Sequence, residues 1–181
     1  MYDREPVKLT REVSAVMIPH GHSVVLPKDT EVNVAQALGG SFTVYVGGNL
    51  ARIAGQDADA LGREPARAPT LPDDATDADL AALAWEQMRT CFDPEIPINI
   101  VDLGLVYSCQ LVTLADGGKR FEVRLTLTAP GCGMGGILAQ DVKDKLELIP
   151  RVAAADVELV FDPPWNQSMM SDAAKLQTGM F

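Results

Sequence analysis

The chain has 181 residues, 47% of them apolar and 22% charged, ordinary proportions for a globular protein able to bury a core. Its 25 Asp and Glu against 15 Lys and Arg give a formal charge of −10, which argues against a nucleic-acid binder, since that needs cations to displace counterions from phosphate. Three cysteines without repeated spacing make no disulfide framework, no apolar run approaches the roughly 18 residues of a membrane span, and the opening MYDREPVKLTREV lacks a signal peptide's apolar stretch, so a soluble protein of the reducing cytoplasm is expected.

Residues 1–60 read as a small β-rich unit. Val13 to Ile18 and Ser23 to Leu26 are candidate strands, broken by Pro19 and Gly21. Phe42, Val44 and Val46 alternate with Thr43 and Tyr45, the period of a half-buried strand. Gly47-Gly48-Asn49 supplies a turn, and Leu50 to Ile53 begin the return strand. No helix is expected in this unit. The stretch LGREPARAPTLPDDATDAD follows, with three prolines, no aromatic residue and little apolar surface to bury. Residues 61–76 therefore read as a linker.

A second unit, residues 77–181, opens with a helix. Thr76 and Asp79 have the spacing of a capping box, and Leu80, Leu83, Ala84, Met88 and Cys91 recur at helical intervals. Pro94 and Pro97 end it in an extended loop, FDPEIPINIVD. A strand is expected with Leu103, Leu105, Tyr107, Cys109 and Leu111 on one face, then a hairpin at Ala115 to Gly118. In the next strand Phe121, Val123, Leu125 and Leu127 alternate with polar residues. Leu138, Val142, Leu146 and Ile149 form the apolar stripe of a second helix, which Pro150 closes. Val157 to Phe161 read as a third strand, broken by Asp162-Pro163-Pro164-Trp165 ahead of a short terminal helix. The expected class is α+β: an α-β-β-α-β layer domain behind the β-rich unit.

The loop Thr128-Ala129-Pro130-Gly131-Cys132-Gly133-Met134-Gly135-Gly136 is the strongest chemical signal. It joins a strand to a helix and sets one cysteine among four glycines. Unpaired N–H groups and the dipole at a helix N-terminus stabilise a thiolate, the form that ligates metal or attacks a substrate. The competing reading is a Gly-rich connection around an inert small residue. Cys91 and Cys109 fall on apolar faces and read as core. Asp93, Glu95 and Asp102 cluster on the proline-bent loop, where carboxylates are usually just solvated. Beside a thiolate they could supply oxygen ligands or accept a proton. His20-Gly21-His22 reads as a turn, and without a Cys-x-x-Cys pair a resident four-ligand zinc or Fe–S site has no support. The glycine pairs Gly39-Gly40 and Gly47-Gly48 form no G-x-G-x-x-G or P-loop pattern, so nucleotide binding has no support there.

DPEIPINIVDLGLVY, LTLTAPGCGMG and FDPPWNQSMMSDAAKLQTG together resemble the metal–sulfur cluster biosynthetic domain family, over roughly residues 77–181. That family includes SufT-type iron–sulfur assembly factors, PaaD-like proteins and the eukaryotic cytosolic iron–sulfur targeting factors. QALGGSFTVYVGGNLARIAGQDADALG in the first unit is similar to the extension of SufT-type members. The resemblance implies an auxiliary role in Fe–S protein maturation and no enzymatic activity. It places the family's DPE element on Asp93, Pro94 and Glu95, and its threonine-to-cysteine loop on Thr128 and Cys132. Its DPPW element falls on Asp162 to Trp165, read as a structural turn. Ala129 stands where some relatives carry a second threonine. On this reading no cofactor is permanently bound, and Cys132 holds iron or an Fe–S cluster transiently. The expected partners are Fe–S assembly machinery and apo client proteins, with a homodimer plus a client or small thiol completing the metal's ligand shell. A protein-binding adaptor without metal, and a thiol enzyme, stand as the alternatives.

Overall fold

The computed structural model describes residues 6–93, 96–131 and 133–179. The chain divides into two compact units, one running to Arg67 and the other beginning at Ala68. Among the described residues no helix is long and apolar enough to cross a membrane.

The first unit is one antiparallel sheet of β1 (Pro6–Lys8), β2 (Val13–Ile18), β3 (Ser23–Leu26), β4 (Glu31–Leu38), β5 (Ser41–Val46) and β6 (Asn49–Ile53), in the order β1-β4-β5-β6-β2-β3. Alternation puts Val13, Ala15, Val32, Val34, Phe42, Val44, Ala51 and Ile53 in one core. Strands β2, β3, β5 and β6 lie where the pattern predicts them. Strands β1 and β4 were not anticipated: β1 has only three residues, and a register shift between Val34 and Gln36 breaks the alternation of β4.

A 3-10 segment, Gly55–Leu61, also stands where no helix was expected. Its Ala58, Ala60 and Leu61 enter the core. Arg11 fastens it, donating from Nη2 to Asp57 Oδ1 at 2.8 Å and to Asp59 Oδ1 at 2.6 Å, and from Nε to Asp59 Oδ2 at 2.7 Å. The guanidinium holds the Asp59 carboxyl below its usual range. Of the residues read as linker, Leu61 thus belongs to the first core, and Ala66 N–H donates to Gly55 O at 2.9 Å. The carbonyls of Pro72, Asp73 and Ala75 accept instead from the Arg151 guanidinium of the second unit.

The second unit follows the expected order, with α1 (Asp77–Met88), β7 (Val106–Thr113), β8 (Lys119–Leu125), α2 (Gly135–Glu147), β9 (Val152–Leu159) and α3 (Asp172–Thr178). Its class is α+β. In the three-stranded sheet β7-β8-β9, β7 and β8 are antiparallel, while β8 and β9 are parallel and joined through α2. The capping box at α1 is complete: Asp79 N–H donates to Thr76 Oγ1 at 3.3 Å, and Thr76 N–H donates to Asp79 Oδ2 at 2.8 Å. Leu80, Ala84 and Met88 of α1 pack with Phe121, Val123 and Leu125 of β8 and with Leu138, Val142 and Leu146 of α2. Cys91 and Ile149 are buried in the same core but lie beyond the ends of their helices.

Two strand boundaries differ from expectation. β7 begins at Val106, because Gly104 adopts a φ of +74° and turns the chain between Leu103 and Leu105. Met169 O lies only 2.3 Å from where a Cβ on Gly104 would stand. A bulge between Val106 and Ser108 then takes Tyr107 out of the row, and its hydroxyl donates to Pro163 O at 2.6 Å. β9 spans Val152–Leu159 rather than 157–161, because its parallel pairing with β8 starts at Lys119 and Val152. Phe161 lies past it and is 47% exposed. Trp165 packs against the core and donates from Nε1 to Leu103 O at 2.6 Å, the structural turn expected of the DPPW element.

Candidate functional site

Two of the four residues singled out by the sequence meet in the fold. Asp93 follows α1 and is 5% exposed; Thr128 follows β8. Thr128 Oγ1 donates to Asp93 Oδ2 at 3.4 Å, across 35 positions of sequence. That is long for a hydroxyl–carboxylate bond, so it orients more than it stabilises. The other carboxylate oxygen, Oδ1, accepts Ile96 N–H at 2.8 Å, and Asp93 N–H donates to Ile98 O at 3.2 Å. The carboxylate therefore closes its own loop on one side and faces the strand end on the other. Glu95 and Cys132 lie outside the described residues.

The neighbouring carboxylate does not join this pair. Asp102 Oδ2 accepts from Asn99 Nδ2 at 2.6 Å, while Asp102 N–H donates to Asn99 Oδ1 at 2.9 Å. Its carbonyl accepts Ser171 N–H at 2.8 Å, tying the loop to the C-terminal segment. Asp102 is thus a loop clasp.

The loop after Thr128 ends against the sheet. Gly131 has a φ of +82°, as the glycine content of this turn implies. A Cβ on Gly135 would lie 2.7 Å from Leu127 Cδ1 and 3.1 Å from Leu159 Cδ1, whereas one on Gly136 would meet nothing within 4 Å. The first turn of α2 is therefore pressed onto the ends of β8 and β9 on one side and open on the next. Among the described residues no side chain caps α2, and no acidic residue occupies its first turn. The positive end of its dipole thus faces the loop that carries Cys132.

The other candidates are accounted for by packing. Cys91 is fully buried, with Sγ 3.8 Å from Gln87 O. Cys109 packs against the core from β7, and burial pushes its thiol up to about 11, so it is protonated at neutral pH. His20 and His22 stack with ring centroids 6.1 Å apart on an exposed turn of the first unit. Among the described residues no three His, Cys, Asp or Glu side chains are grouped to hold a metal.

A family model described as iron-sulfur cluster assembly protein matches residues 83–159, which contain Asp93, Thr128 and the Gly-rich loop. A Porphyromonas gingivalis protein named Fe-S protein maturation auxiliary factor is 42% identical over 92 residues, 51% of this chain and 84% of that protein. The chain belongs to the iron–sulfur cluster assembly protein family. A Staphylococcus aureus member named Fe-S protein maturation auxiliary factor SufT is 43% identical over 88 residues, 49% of this chain and 96% of that protein. A solved Bacillus anthracis domain of unknown function is 30% identical, covering 57% of this chain and 95% of that one, with a TM-score of 0.49.

The sequence had singled out Asp93 and Thr128 but not the groups that orient them. Ile96 N–H is one, and Ile98 O, which accepts Asp93 N–H, is the other; the Asn99–Asp102 clasp closes the same loop. Asp93 accepting from the N–H three residues on, and Asn99 opposite Asp102, both follow the spacing at which short polar side chains close turns. That signal was available.

Proposed function

We propose that this chain is an auxiliary factor in iron–sulfur protein maturation, and that it carries iron or an Fe–S cluster transiently on Cys132. The observation that supports this reading is the meeting of Asp93 and Thr128 at the root of the cysteine loop. A carboxylate and a hydroxyl from distant stretches converge four positions of sequence before a cysteine. The curated relatives carry names of auxiliary maturation factors, and the role is brought to this chain by membership in their family.

The roles follow from the chemistry of each group. Cys132, as a thiolate before the uncapped start of α2, is the soft ligand for iron. Thr128 holds a hydroxyl that donates to Asp93 or to a cargo sulfur. Asp93 accepts that hydroxyl and supplies a hard oxygen near the metal, with Glu95 as a second carboxylate. One thiolate per chain cannot hold a cluster that takes four, so a second copy together with an apo client or small thiols completes the shell. The shortage makes release easy: the cargo leaves by exchange of one thiolate per chain, without redox chemistry. Such a carrier meets the Fe–S machinery on loading and apo clients on delivery.

The test is Cys132→Ser in cells that depend on this protein for Fe–S enzyme activity. The reading predicts loss of those activities with normal protein levels. Unchanged activities would contradict it.

A further inference from the structure

Strand β9 has β8 on one edge and, among the described residues, no strand on the other. Val160 N–H, just past its end, donates to Leu125 O at 2.8 Å, so the even-numbered residues of this stretch turn their backbone groups toward β8. Ala153, Ala155, Val157 and Leu159 turn theirs to the open edge. Such an edge offers a row of N–H and C=O groups to any second strand, and proteins blunt it with charged side chains, bulges or covering elements.

At Ala155 both outward groups are already taken. Lys143 Nζ donates to Ala155 O at 2.9 Å, and Ala155 N–H donates to Glu147 Oε1 at 3.2 Å. Lys143 and Glu147 stand one turn apart on α2 and pair with each other. The Lys143 ammonium holds the Glu147 carboxyl below its usual range, so it stays a carboxylate at neutral pH. One ion pair from the helix thus makes the two hydrogen bonds that a neighbouring strand would make.

Ala155 is also where a second β9 would fit best. An antiparallel two-fold pairing centred there sets Ala155 against its own copy, Asp156 against Ala154, and Glu158 against Val152, with no like charges opposed. Centring on Val157 would set Asp156 against Glu158 twice. Centring on Ala153 would need Arg151 in the ladder, and Arg151 has a φ of +70°.

We infer that the Lys143–Glu147 pair is an edge lock, occupying the backbone of Ala155 so that β9 does not pair with the β9 of a second copy of this chain. The lock is independent of any chemistry at Cys132.

The experiment uses the full chain, the variants Lys143→Ala and Glu147→Ala, and the double variant, each studied well below its own melting temperature with circular dichroism to confirm the fold. Sedimentation velocity is run across a range of protein concentrations. The double variant should show a concentration-dependent doubling of mass that the parent lacks, and each single variant should show it more weakly. In the double-variant background, Ala154→Asp puts a carboxylate opposite Asp156 of the copy at two symmetric places, and Ala154→Lys puts an ammonium there. The Ala154→Asp chain should therefore associate about tenfold more weakly than the Ala154→Lys chain. Single and double variants that are folded and sediment like the parent would overturn the inference, since the pair would then serve only to hold α2 on the sheet. Association equally strong with Asp or Lys at position 154 would also overturn it, because the contact would lie elsewhere. If the double variant does not fold, the two single variants carry the test with the same outcomes.

Discussion

Thr128 Oγ1 and Asp93 Oδ2 lie 3.4 Å apart and tie the end of β8 to the loop behind α1. The two residues come from different elements, and each is fixed independently. Thr128 follows a strand paired on both edges, and Asp93 is held by Ile96 N–H and by its own N–H to Ile98 O. The contact therefore reports where two rigid stretches meet. A substitution there should separate function from stability.

Asp93→Asn keeps an oxygen for Ile96 N–H but removes the charge. Its melting temperature should stay close to the parent value while Fe–S enzyme activity in cells falls. Asp93→Ala removes the acceptor of the partly buried Ile96 N–H and should cost about 0.5–1.5 kcal/mol in urea denaturation. Equal stability of the two variants would show that the carboxylate does not hold its loop.

Gly135 and Gly136 are adjacent at the start of α2 and should respond with opposite signs. Gly135→Ala brings a methyl against Leu127 Cδ1 and Leu159 Cδ1, side-chain ends that can rotate away, and should destabilise by about 1 kcal/mol or less. Gly136→Ala meets open space and should stabilise by about 0.5–1 kcal/mol through helix propensity. Chemical denaturation of both variants checks the pair.

Cys109 gives a prediction at alkaline pH. Burial raises its thiol to about 11 in the folded chain, above the ordinary value near 9, so the native state holds its proton where the unfolded state has released it. The stability from this group is complete below pH 9 and is lost as pH rises through about 11. Cys109→Ala should flatten that part of the stability–pH curve. At pH 7 a maleimide should label Cys109 only slowly under native conditions.

The capping box of α1 sets the acid side. Thr76 N–H and the Thr76 hydroxyl hold the Asp79 carboxyl below its ordinary value of 3.8. This contribution is therefore present above about pH 4 and is lost as pH falls through the lowered value. Thr76→Ala removes the cap and should cost about 1 kcal/mol at neutral pH, measured by urea denaturation.

The capping box, the alternation of β5 and β8, and the α2 stripe are local patterns, and each was legible from residue types alone. Failures occurred where geometry overrode pattern. Leu103 and Leu105 alternate like a strand, but Gly104 between them is left-handed and pressed against Met169, so they flank a turn. The bulge in β4 hid a strand whose first half alternates well. β9 opens on alanines of weak strand propensity and is fixed by its parallel neighbour, a contact that sequence spacing does not encode. At the site, the residue types were legible at Asp93 and Thr128, and their contact was not.

The central claim is that Cys132 carries the cargo. Its most direct test is anaerobic reconstitution of the purified full chain with iron and sulfide, followed by visible absorption and Mössbauer spectroscopy of the desalted protein. The account predicts sulfur-ligated iron on the parent chain that disappears in Cys132→Ser, while Cys91→Ala and Cys109→Ala, if folded, keep it. An unchanged spectrum in Cys132→Ser, or no iron on the parent chain under any loading condition, would contradict it and leave a protein-binding adaptor in its place.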